Sequence, residues 1–138
     1  MILRGEWKTL EDIRLLPNVE FMDPVSDIRE FYARVRVMLC PSLVEDAGHI
    51  GQESAVNSIP CISSDRMGLV ETNAGGIRLP VADGSARSDA LTCWQRAVEA
   101  LDDVGVYAHV LERQREFFER YNWPAKFDLL EQRIRRLG

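Results

Sequence analysis

Through Val81 the chain alternates short apolar runs with longer segments of helical period, a pattern that restricts it to a parallel α/β sheet with crossover helices. "MILRG" reads as a strand, "TLEDIRLL" as a short helix ended by Pro17, and "NVEFM" as a second strand. "DPVSDIREFYARV" offers Asp23 and Ser26 as caps, and its Ile28, Phe31, Tyr32 and Val35 recur at helical spacing. "VRVMLCPS" is apolar on both faces, as a central parallel strand is. "HIGQESAVNS" reads as a helix, "CISSD" as a fourth strand, "RMGLVETNAGG" as a loop and "IRLPV" as a fifth strand.

From Ser85 onward the alternation stops. "SARSDALTCWQRAVEALDD", "GVYAHVLERQREFFERY" and "WPAKFDLLEQRIRRL" read as three helices, divided by Gly105 and by Pro124, which suits a first helical turn. The last is amphipathic through Phe127, Leu130, Ile134 and Leu137, and core packing is the expected use of that face. The expected fold is therefore α/β: one domain, with a Rossmann-like parallel sheet and flanking helices over residues 1–84 and a helical C-terminus over 85–138.

Composition narrows the functional classes. A net charge of −5 and a pI near 5.1 argue against non-specific nucleic-acid binding, which needs a basic surface. The charge is unevenly spread, with seven Arg or Lys against five acids from Leu111 to Gly138. No apolar run reaches the length that spans a bilayer, and the start lacks the pattern of a signal peptide, so a cytoplasmic protein with no transmembrane segment is expected. Cys40, Cys61 and Cys93 lie far apart without C-x-x-C spacing; buried free thiols are expected, and no metal site.

The segment "VEDAGHIGQES" holds the candidate chemistry. It joins the end of the third strand to the next helix, at the carboxyl end of the sheet, where open α/β folds bind ligands. Backbone N–H groups around Ala47, Gly48, His49 and Ile50 would form an anion site, and Gly48 would let a phosphate come close. Glu45 and Glu53 each offer two acceptor oxygens, the chemistry needed to hold neighbouring hydroxyls of a sugar ring. Two such carboxylates around an anion site suit a nucleotide sugar. The alternative on residues alone is a helix cap with two solvated carboxylates.

The run "PSLVEDAGHIGQESAVNSIPCISSDRMGLVETNAGGIRLPV" resembles the donor-binding core of glycosyltransferase family 4, enzymes of the two-domain GT-B fold. Pro41, Ser42, Glu45, Gly48, Glu53, Pro60, Ser64, Asp65, Gly68, Glu71, Ala74 and Gly75 follow the family's order. "NVEFMDPVSDIREFYARVRVMLCPS" is similar to the elements leading into that core, and "FFERYNWPAKFDLLEQRIRRL" to the family's closing helices.

The resemblance implies a retaining transfer of a sugar from a nucleoside-diphosphate sugar to an acceptor hydroxyl, as in polysaccharide biosynthesis, with the donor as substrate and no separate cofactor. It assigns Glu53 to the ribose hydroxyls and Glu45 to the transferred sugar at the reacting face. Main-chain groups of Ala47, Gly48, His49 and Ile50 would hold the sugar and diphosphate, and Val25 would pack the nucleobase. Asp46, Ala47 and His49 depart from the usual residues, and "MGLVE" stands where the family has Gly-Gly-x-Pro-Glu, so the donor is left open.

The resemblance also implies that the chain is the C-terminal half of a GT-B enzyme, without the acceptor domain and the first strand of the donor domain. It is then expected to be inactive alone, to cover its open strand edges as a homodimer, and to lie at a membrane periphery in the full enzyme. The alternative is a non-catalytic or split-enzyme interaction module of GT-B-like fold.

Overall fold

A computed structural model describes residues 14–46, 48–81, 87–121 and 123–136. The chain forms two compact units, residues 1–34 and 35–138. The expected strand "MILRG" and most of the helix "TLEDIRLL" lie outside the described residues.

Among the described residues of the first unit, Ile28–Tyr32 forms a short helix, α1. Asp27 is its N-cap: the carboxylate accepts from the Arg29 N–H at 3.0 Å and from the Arg29 guanidinium at 2.7 Å. These bonds hold the Asp27 carboxyl below its ordinary range, the side-chain bond contributing most. The cap is thus Asp27 and not Asp23 or Ser26, and the helix stops before Val35. Residues 18–22 do not form the expected strand; after a turn at Pro17-Asn18 they run without a partner strand among the described residues. Apolar alternation cannot make a strand whose N–H and C=O groups have no neighbour to bond. Phe21 instead lies under the Arg14 guanidinium at 4.9 Å, and Glu20 pairs with Arg34 at 2.6 Å.

The second unit is an α/β fold of Rossmann-like form. Its sheet contains β1 (Met38–Cys40), β2 (Cys61–Ser64) and β3 (Ile77–Leu79), all parallel and in the order β1-β2-β3. Met38 stands opposite Cys61, and Ile62 opposite Ile77. Helix α2 (Ile50–Val56) connects β1 to β2, and the one-turn α3 (Leu69–Thr72) connects β2 to β3. Then α4 (Arg87–Ala100), α5 (Val104–Tyr121) and α6 (Trp123–Arg135) complete the chain.

The central strand is β2, whose four residues are all buried; among the described residues β1 lies at the edge with Leu39 exposed, which corrects the expectation of a third strand buried on both faces. Successive side chains of a strand point to opposite faces. Ile62 joins Leu101 and Val110 in a core that also takes Trp94, Ile77 and Leu79, so α4 and the start of α5 cover that face. Ser63, one residue on, receives the Asn73 amide at 2.8 Å on the other face, beside α2 and α3.

Side chains finish the bonding that such short strands leave open. Gln114 of α5, 2% exposed, accepts from the Cys61 N–H at 3.0 Å and donates to the Ile59 carbonyl at 3.2 Å. The buried Asn73 amide also lies within 3.3 Å of the Cys61 and Ile77 carbonyls, stapling β2 to β3. At the same amino end of the sheet, Arg36 pairs with Asp102 at 2.7 Å and donates to the Leu101 carbonyl at 2.8 Å. α5 starts at Val104 because Asp103 Oδ1 accepts from the Val106 N–H at 2.9 Å; Gly105, expected as the break, sits inside the helix.

Cys40 and Cys61 are buried and free, whereas Cys93 is exposed on α4, against the expectation for all three. Burial pushes the Cys61 thiol up to about 12 from an ordinary 9.0. In the unfolded chain that thiol ionises at lower pH, so between 9.0 and about 12 the unfolded state holds fewer protons and stability falls as pH rises. A thiol reagent is expected to label the native chain once, at Cys93, and twice more after unfolding. Cys61→Ala should remove part of the alkaline loss of stability in denaturant titrations below and above pH 9.0. Rapid native labelling of all three thiols would contradict the burial.

Phe127 and Ile134 of α6 are 62% and 60% exposed, more than the core packing expected of this face. Its apolar period is real, but nothing in the sequence of one helix says which partner that period serves.

Candidate functional site

Glu45, Gly48, His49, Ile50 and Glu53 lie in one continuous segment, from the loop after β1 into the first turns of α2. The carboxyl ends of β1 and β2 meet here, where Ser64 Oγ donates to the Ser42 carbonyl at 2.6 Å. Ala47 lies outside the described residues, and Val25 is a half-buried residue of the first unit, before α1.

Close backbone approach fixes this segment. Gly48 is buried, and a Cβ there would stand 2.6 Å from Leu69 Cδ2 and 2.7 Å from Glu45 Cγ. The Glu45 stem therefore lies over the Gly48 backbone, and the side chain is half-buried. Gly68 has φ +65°, a conformation glycine adopts without steric penalty, and a Cβ on it would meet the Asp46 carbonyl oxygen at 2.5 Å. Gly51 would likewise drive a Cβ into Asn73 Cβ and the Thr72 carbonyl oxygen, both at 2.7 Å. The loop and α2 thus rest directly on α3.

Thr72 locks the contact. Its hydroxyl lies 2.6 Å from the Gly48 carbonyl and 2.9 Å from its own helix's Gly68 carbonyl, so its one proton serves either end of the clamp. Residues 66–76, expected as a loop, hold the helix Leu69–Thr72 that supplies this clamp. A four-residue helix is too short to show a period, and only the glycine at its cap, with φ +65°, marked its start.

His49 is the N-cap of α2 by backbone but makes no side-chain cap bond; its Nδ1 lies 3.3 Å from Gln52 Oε1, on the exposed side. The first helical bond runs from the Glu53 N–H to the His49 carbonyl, so the amides of residues 50–52 open towards the start of the helix. Glu53 is exposed, on the side of α2 away from the buried Gly51 and Ser54. The arrangement can present two carboxylates and backbone donors to a polyhydroxylated anion. A separate cleft of about 480 Å³, lined by Asp65, Gly76, Ile77, Arg78 and Arg113, includes none of the predicted site residues. Among the described residues, no group of three His, Cys, Asp or Glu side chains could hold a metal ion, and no helix is long and apolar enough to cross a membrane.

A parallel Rossmann-like sheet with a tightly held loop at its carboxyl end is an open α/β fold, a class that binds ligands at that end. Residues 3–96, more than half of the 138, match the family of glycosyl transferases, group 1. The chain belongs to that family. No curated protein and no solved structure matches it significantly.

Proposed function

We propose that the segment from Glu45 to Glu53 binds a nucleoside-diphosphate sugar for a retaining transfer within a GT-B enzyme. The observation that carries this reading is the clamp of Gly48 by Leu69 and Thr72, which holds a glycine-containing helix start at the carboxyl end of β1 and β2. The family match spans the whole segment and supports sugar transfer as the chemistry. In this reading Glu53 accepts from the ribose hydroxyls, and Glu45 lies by the transferred sugar at the reacting face. Backbone amides of residues 48–50 hold the sugar and diphosphate. The sugar passes to an acceptor hydroxyl.

A thermal-shift series with UDP, GDP and ADP sugars tests the reading on this chain. The correct donor at a hundredfold excess over its Kd adds about 2.7 kcal/mol of stability, several degrees in melting temperature. Glu53→Ala should weaken both the nucleotide sugar and the free nucleotide by about 10- to 100-fold, the loss of charge-assisted hydrogen bonds. Glu45→Gln should weaken the nucleotide sugar and spare the free nucleotide. On this reading the 138-residue chain alone is expected to turn over no donor. No shift with any donor, or an unchanged affinity in Glu53→Ala, would sink the proposal.

A further inference from the structure

The cleft of about 480 Å³ beside β3 gathers charges that the fold leaves unneutralised. Close packing sets its walls: a Cβ on Gly75 would stand 2.5 Å from the Arg113 carbonyl oxygen, so α5 lays its main chain against the start of β3 and places Arg113 there. Asp65 follows the other end of β2, where its N–H donates to the Leu79 carbonyl at 2.9 Å. That bond turns the Leu79 backbone towards β2, and backbone groups alternate in direction along a strand. The N–H of Arg78 therefore faces away from β2, where no described strand takes it. Asp65, Arg78 and Arg113 are all exposed, and among the described residues none of them forms an ion pair. We propose that this cleft binds a small phosphorylated sugar, with the phosphate on Arg78 and Arg113 and a hydroxyl on Asp65.

The chemistry of the lining selects this ligand. Two guanidiniums stand against one carboxylate, in a chain whose net charge is −5. The planar fork of arginine matches phosphate oxygens, and two forks with a main-chain N–H suit a dianion better than a single carboxylate. Asp65 would repel a bare anion, but it accepts readily from a hydroxyl, so the ligand that satisfies all three side chains carries both groups. The volume lies within the range of small-ligand pockets, about 300–1,000 Å³. Arg78 now donates to the Val70 carbonyl at 3.2 Å, a neutral acceptor that a phosphate oxygen outcompetes. A protein segment adding as a further strand fits less well: β3 has three residues, carries Arg78 and is followed by Pro80, all of which blunt an edge.

This site is independent of the donor reading, since none of its residues lies between Glu45 and Glu53. Calorimetric titration of the 138-residue chain with glucose 6-phosphate, inorganic phosphate and glucose tests it. Glucose 6-phosphate is expected to bind most tightly, inorganic phosphate more weakly and glucose not at all, with the affinity for glucose 6-phosphate falling as salt rises. Arg78→Gln and Arg113→Gln should each weaken glucose 6-phosphate by about tenfold, the loss of a charge-assisted hydrogen bond. Asp65→Ala should weaken glucose 6-phosphate and tighten inorganic phosphate, because it removes a hydroxyl acceptor and a like charge together; a merely structural role would not move the two in opposite directions. All three side chains are exposed, so the circular dichroism of each variant should match that of the parent. Absence of glucose 6-phosphate binding, or inorganic phosphate bound equally well, would overturn the inference. So would binding that survives Arg113→Gln and is lost in Glu53→Ala, which would put the sugar phosphate on the donor segment instead.

Discussion

Gln114→Leu is expected to lower the unfolding free energy by about 3 kcal/mol, since each buried polar group left without a partner costs about 1–3 kcal/mol. Leucine fills most of the glutamine's volume, so little of the loss would come from an empty space. What goes is the pair of bonds to the Cys61 N–H and the Ile59 carbonyl, which stand where β2 begins. Cys61 is fully buried and Ile59 nearly so, and water cannot replace the lost partner without opening the helix from the sheet. For a domain whose whole stability is about 5–15 kcal/mol, this is a large share. Urea unfolding measures it; a loss below about 1 kcal/mol would mean that another group takes over both bonds.

Gly68→Ala should cost about 2–4 kcal/mol, combining a side chain at positive φ with overpacking against a main chain. The atoms in the way are the Asp46 carbonyl and the Glu45 carbonyl oxygen, at 2.5 to 2.7 Å from the new Cβ, and backbone cannot swing aside as a flexible side chain does. The strain therefore falls on the loop that carries Glu45. On the proposed reading, the variant should lose donor affinity even under conditions where it stays folded. Unchanged unfolding free energy together with unchanged donor response would show that this loop yields freely, and the clamp would lose its meaning.

The parts of the fold legible from sequence are those whose period or apolar content is locally strong. Within residues 49–58 the helix Ile50–Val56 buries Gly51 and Ser54 on one face, and "CISSD" is compact and flanked by turn residues; both fall where expected. "NVEFM" has equal apolar content but no described neighbour, and a strand is a relation between two segments. "VRVMLCPS" shrinks to three residues because β1 has only β2 beside it among the described residues. The helix boundary near Gly105 moved because a side-chain cap from Asp103 outweighs the weak helix preference of glycine.

The candidate segment was legible in position, through the order of Pro41-Ser42, Glu45, Gly48 and Glu53. Its support was not. Leu69, Thr72 and Asn73 reach it only once β2 and α3 have brought them there across some twenty residues, and no local pattern announces such a contact. Exposure of Phe127 and Ile134 was equally unreadable, since an amphipathic helix looks the same whether its partner lies in its own domain or in another molecule.

The substitution of a side chain for a strand partner at Cys61 also changes what that amide reports. Most amides of a sheet exchange their hydrogen when neighbouring strands separate. The Cys61 N–H is held by a group on α5, 53 residues away in sequence, and becomes accessible whenever that helix lifts while the sheet stays intact. Its protection factor therefore follows the docking of α5 and not the opening of β2, giving a single-atom reporter for a motion that leaves the strands paired.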